Sequence, residues 1–199
     1  ITIHNSSREG GRAPDVYESL HNAYGLLADS ILLFRDDSWP TSTSLSILAL
    51  EELGKFFILH HLSMESVQFE SKAEREEFLR PVFSGGMVFR HRLKQEWALV
   101  EAGIKITKWN QPQYLDKLKQ QGFYVGFEKG KTKAPSRIKK STAYRHIKQV
   151  GKVFSSLRNF PFSGWLEGPG TDLNHQEIIA EVEEEIKILK SEQGEAGNG

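Results

Sequence analysis

Ser44-Leu45-Ser46-Ile47-Leu48-Ala49-Leu50-Glu51-Glu52-Leu53-Gly54-Lys55-Phe56-Phe57-Ile58-Leu59 places two acids, a glycine and a lysine in the middle of an otherwise apolar helix. At about 100° per residue, the apolar side chains from Leu45 to Leu59 spread around most of the circumference, which predicts a helix lying deep in the fold. Glu52 then projects between Leu45, Leu48, Phe56 and Leu59. A carboxylate there must be paired, hydrogen-bonded or protonated, because an isolated ionised group in an apolar interior costs several kcal/mol. Glu51 and Lys55 are spaced i,i+4 in the favourable order and flank the same wall. Taken alone, this spacing fits either a solvated helix pair with Glu52 anchoring a basic residue elsewhere, or a polar centre held in an apolar cleft.

The surrounding sequence reads as further helices. The first begins near Pro14-Asp15 and carries Leu20, Ala23, Tyr24, Leu27, Ile31 and Phe34 before Asp36-Asp37-Ser38-Trp39-Pro40 ends it. Thr41, Ser42 and Thr43 are candidate caps for the second. A short helix is expected over Ala73 to Leu79, and a long one from Met87 to Lys105 with Phe89, Leu93, Trp97, Val100 and Ile104 as its core stripe. The opposite face of that helix, His91, Lys94, Gln95, Ala98 and Ala102, mixes polar and small residues and suits a close neighbour or a cleft better than open water. A short helix over Gln113 to Gln121 leads to Gly122-Phe123-Tyr124-Val125-Gly126-Phe127, expected to be extended or a small hairpin. Ala143, Ile147, Val150, Phe154 and Leu157 mark the next helix, Asn159 to Gly170 a loop, and Ile178, Ile179, Val182, Ile186 and Leu189 the last helix. The fold class is all-α, an antiparallel helical bundle with an excursion near 122–135. Residues 1–190 are read as one domain and 191–199 as a disordered polar tail.

At 199 residues the chain can bury roughly two-thirds of its unfolded surface without staples. It has no cysteine, which excludes a disulfide framework and thiolate metal sites and fits a reducing compartment. No run approaches about 18 apolar residues and the first residues lack a signal-peptide core, so a soluble cytoplasmic protein with no membrane association is expected. No metal pair, phosphate loop or nucleophile elbow is present, and no cofactor is expected. His60, His61 and His175 lack ligand spacing and read as surface or packing residues. The net charge of zero hides a division: Lys129 to Leu166 holds ten Lys or Arg and no acid, whereas Glu167 onward holds nine acids against Lys187 and Lys190. A basic block of this kind faces a polyanion, unless the acidic block neutralises it in the fold.

The order of segments resembles the AbiV family of bacterial abortive infection proteins, a branch of the HEPN helical superfamily. The resemblance rests on Leu20-His21-Asn22-Ala23, on Ser46 to Lys55 with its Leu-Ala-Leu-Glu-Glu-Leu-Gly-Lys core, on Phe89-Arg90-His91-Arg92-Leu93-Lys94, and on Gln121-Gly122-Phe123-Tyr124-Val125. It implies a phage-defence protein, toxin-like and homodimeric, that arrests growth or translation in the infected cell. It also implies a phage-encoded activator or another regulatory protein that keeps the toxin restrained. HEPN relatives are commonly metal-independent ribonucleases with an Arg-x4-6-His signature, from which this chain departs. The nearest approaches are Lys140, five intervening residues before His146, and the adjacent pairs Arg90-His91 and Arg145-His146.

Metal-free RNA cleavage needs a group that takes the 2′-OH proton and cations that stabilise the phosphorane. His91 and Lys94, about 60° apart around their helix, meeting Glu51, Glu52 and Lys55 of the second, make the candidate catalytic set. Lys139, Lys140, Arg145 and His146, with Arg90 and Tyr124, make the candidate RNA-binding set, cations for the backbone and aromatic faces for bases. The alternative is a non-catalytic module that binds RNA, the ribosome or a phage protein, with the acids as a structural lock.

Overall fold

A reversal three residues long lets α1 (Ala13–Arg35) fold back on α2 (Trp39–Ser63). It is a Schellman ending: the Ser38 amide donates to the Leu33 carbonyl (2.8 Å) and the Asp37 amide to Phe34 (3.3 Å). Asp37 takes the left-handed backbone this requires, with φ 55°. In this computed structural model the described residues are 13–63, 71, 73–74, 87–123, 126–128, 131–133, 138–160 and 175–195. Beyond α2 they form α3 (Met87–Glu101), α4 (Pro112–Phe123), a hairpin of β1 (Gly126–Glu128) and β2 (Lys131–Lys133), α5 (Lys140–Ser156) and α6 (His175–Glu195). The strands pair antiparallel with Phe127 opposite Thr132, so the excursion expected near 122–135 holds a hairpin over 126–133, whereas Gly122 and Phe123, expected to be extended, instead end α4. Most of the expected helix over 73–79 and of the 159–170 loop lies outside the described residues.

The all-α bundle is the one anticipated, with α2 at its centre against α1, α3, α4 and α5. Leu20, Ala23, Leu27, Ile31 and Phe34 of α1 meet Ile47, Leu50, Leu53, Phe56 and Phe57 of α2. Burying each of the larger side chains contributes about 1.5–3 kcal/mol. Ala143, Ile147, Val150, Phe154 and Leu157 are all buried, as their spacing predicts, and α6 closes the bundle against α1 and α5.

Four expectations are corrected. First, α2 begins at Trp39, with Pro40 in its opening turn, where the missing N–H breaks no helical bond. Thr41, Ser42 and Thr43 are therefore inside the helix rather than caps. Ser42 and Ser30 exchange hydroxyl-to-carbonyl bonds across α1 and α2, both 2.8 Å, and Thr43 bonds back to the Trp39 carbonyl at 2.8 Å. Second, α3 stops at Glu101 because Gly103, at φ 64°, turns the chain in a second Schellman motif. Third, α3 is rotated from the predicted orientation: Gln95, Ala98 and Leu99 are buried while Val100 is 60 % exposed. Fourth, α6 runs to Glu195, past the expected start of the tail at 191, with Arg35 of α1 gripping Glu192 at 3.4 Å.

The rotation of α3 has a steric cause. A Cβ on Gly54 would lie 1.8 Å from the Lys94 carbonyl oxygen, so the glycine lets the backbones of α2 and α3 touch. Nearer the start of α2, a Cβ on Gly122 would lie 2.0 Å from Ser44 Oγ, which donates to the Lys119 carbonyl at 2.8 Å. Gly54 and Ser44 thus draw α3 and α4 onto one stripe of α2. Gly54→Ala should cost at least about 1–3 kcal/mol in urea unfolding. Gly25→Ala, in open space on α1, should instead stabilise by roughly 0.5–1 kcal/mol.

Candidate functional site

Between those two close contacts, on the same stripe, sits Glu51, only 4 % exposed. One carboxylate oxygen accepts from Lys119 Nζ of α4 (2.6 Å) and Gln95 Nε2 of α3 (2.7 Å), and the other lies 2.5 Å from His91 Nδ1. Asp116, one turn before Lys119, stands 3.8 Å from both Lys119 and Arg92, continuing the network outward. Three helices therefore supply one polar centre in an apolar surround.

Burial pushes the Glu51 carboxyl up, but the His91 hydrogen bond and the charge and hydrogen bond of Lys119 outweigh it and hold it below the ordinary carboxylate value of 4.5. Glu51 is thus an ionised acceptor. The His91 side chain keeps 29 % of its surface exposed while the carboxylate behind it keeps 5 %. This is the arrangement in which a buried acid orients an imidazole that stays partly exposed.

Of the expected catalytic set, the structure brings together Glu51 and His91. Glu52 is not the buried acid: it and Lys55 pair at 3.6 Å, i,i+3, each about a quarter exposed, on the half-buried stripe with Leu45, Leu48 and Leu59. Glu51 consequently does not pair with Lys55. Because α2 is apolar all round, hydrophobic spacing alone could not say which side faces the neighbouring helices. Lys94 is half-buried, one turn beyond His91 on α3, its backbone against Gly54. Lys119 was missed. The signal for it was a lysine on the same face of α4 as Leu115, Leu118 and Gly122, all of them buried.

The expected RNA-binding residues whose side chains are described differ in exposure. Arg145 is exposed with its guanidinium 5.0 Å above the Trp109 ring, and Lys139 is exposed just ahead of α5. Lys140 is half-buried with its ammonium over Phe34 at 5.5 Å. His146 is corrected outright: at 2 % exposure it belongs to the core beside Tyr114. Burial, with the nearby Arg145 charge, lowers its pKa to about 4, against a hydrogen bond that it donates to Gln149, which raises it. Arg90 falls in the first turn of α3 with its side chain outside the described residues, and Tyr124 lies outside them altogether.

Among the described residues no group of His, Asp and Glu converges as a metal ion would require, and no helix is long and apolar enough to cross a membrane. The family model described as AbiV matches residues 16–155. No curated protein and no solved structure gives a significant match.

Two outcomes follow for stability. Because the Glu51 pKa is depressed, its contribution is complete above the ordinary carboxylate range and is lost as pH falls through the folded-state value. At pH 7 Lys119→Met should cost about 3–5 kcal/mol by stranding the carboxylate, and adding Glu51→Gln should restore part of it in a double-mutant cycle of chemical unfolding. His146, also depressed, gives stability that is complete above pH 6.5 and is lost as pH falls toward about 4. Melting curves across that interval should show a loss approaching about 3 kcal/mol that His146→Leu abolishes.

Proposed function

The chain belongs to the AbiV family, and on that premise we propose that it is a phage-defence protein that halts growth of the infected cell by metal-independent RNA cleavage at the His91–Glu51 centre. The observation that carries this is the half-exposed imidazole backed by a buried, ionised carboxylate. In the proposed step His91 Nε2 takes the 2′-OH proton, the 2′-oxygen attacks phosphorus, and the P–O5′ bond breaks. The imidazolium then returns the proton to the departing 5′-oxygen. Glu51 holds the ring through Nδ1, while Gln95 and Lys119 hold Glu51. Lys94 is the cation proposed to face the phosphorane. Glu52 and Lys55, paired with each other on the adjacent stripe, take no part. In this proposal the working form is a homodimer, and a phage-encoded activator or another regulatory protein releases it.

A second reading draws on the same centre. Glu51 is saturated by donors from two helices, and Lys119 at 3 % exposure is closed off from the surface, as in a packing lock. The protein is then a binding module whose basic surface sequesters RNA, the ribosome or a phage protein.

His91→Ala separates the two. Catalysis predicts loss of phage protection and of RNA breakage in infected cells, by at least about 100-fold, the contribution of one general base, in a variant that loses some stability with its bond to Glu51 but that circular dichroism shows to be folded. Retained protection in that variant, or intact RNA in the wild type, would assign the function to binding.

A further inference from the structure

The loop from Ile104 to Asn110 and the outer face of α5 enclose a groove of about 320 Å³, lined by Trp109, Arg145, Lys148, Gln149 and Lys152 among others. It shares no residue with the Glu51 centre. Of the described residues expected from sequence to bind RNA, Arg145 alone lines it.

Three features of the groove point to one ligand chemistry. Its charged lining is all cationic, Arg145, Lys148 and Lys152, within the stretch of sequence that contains no acid. Four acids of α6 are engaged elsewhere: Glu183 with Arg158, Glu185 and Glu192 with Arg35, and Glu184 with Lys187. Beside the cations stands an aromatic wall. Trp109, 47 % exposed, is braced edge-on by Tyr114 at 6.0 Å, and Asn110 ties its loop by accepting from Thr107 and donating to the Lys105 carbonyl at 3.1 Å. Finally, Gln149 is buried, 9 % exposed, and its Nε2 has no hydrogen-bond partner although it lines the groove. A buried donor left unmade costs about 1–3 kcal/mol, and an acceptor on a ligand would recover it.

We propose that this groove binds an unpaired nucleotide. Its base stacks on the Arg145–Trp109 pair, an acceptor on the base or sugar takes the Gln149 amide, and Lys148 and Lys152 hold the phosphate. The volume lies at the small end of ligand sites, about 300–1,000 Å³, which suits one nucleotide rather than a duplex. The nucleotide comes either from a single-stranded RNA segment or from a free mononucleotide, since both present the same base and phosphate.

The experiment measures binding alone, on the full chain, so its result is independent of the His91 test. A fluorescein-labelled single-stranded oligoribonucleotide is titrated by anisotropy, with UMP and AMP as competitors and a duplex of the same sequence as control. Trp109→Ala should weaken single-strand binding about tenfold, the size of one lost stack, and Gln149→Leu several-fold. Lys148→Gln with Lys152→Gln should lower the slope of log affinity against log salt by about two. Competition by UMP or AMP that Trp109→Ala abolishes assigns a free nucleotide; strand binding without such competition assigns RNA. Circular dichroism confirms that each variant is folded. If folded Trp109→Ala and the double lysine variant bind as the wild type does, or the duplex binds as tightly as the single strand, the proposal is overturned.

Discussion

A single buried carboxylate constrains the whole arrangement. Glu51 is ionised in a nearly dry interior, and that state is tolerable only while Lys119, Gln95 and His91 stay within hydrogen-bond distance. These three side chains come from helices far apart in sequence, so their convergence demands that α3 and α4 approach α2 closely. Ser44, Gly54 and Gly122 supply the missing bulk at the two contacts. The small residues and the charges are therefore one device: remove the space and the donors cannot arrive; remove the donors and the carboxylate has no reason to remain ionised.

The same economy governs the surface. Zero net charge hides two blocks of opposite sign, and the fold does not simply lay one against the other. Glu181, Glu185 and Glu192 of α6 turn to Tyr24 and Arg35 of α1, and Glu183 turns to Arg158 just beyond α5. The middle of α5 is left with an uncompensated cationic face beside the exposed indole of Trp109. Its inner face, including the neutral His146, belongs to the core.

Much of the helical order was legible in the sequence. Ala143, Ile147, Val150, Phe154 and Leu157 repeat at helical spacing against polar intervals, and burial follows that pattern. Where helices are apolar all round, or carry small residues in place of large ones, periodicity points the wrong way. Thus α2 presents Glu51 rather than Glu52 to its neighbours, and α3 buries its Gln95–Ala98 side while Val100 meets solvent. Shape, not hydrophobicity, decided both.

By itself the sequence determined a cysteine-free helical bundle, the helix on which the acids lie, the hairpin excursion and membership of the AbiV family, because each rests on local spacing or on a contiguous motif. Only the tertiary structure decided that Glu51 takes its hydrogen bonds from His91, Gln95 and Lys119, and that Trp109 and Gln149 face the basic side of α5. Those contacts join residues tens of positions apart. They are set by how closely backbones pass one another, a quantity that no window of neighbouring residues contains.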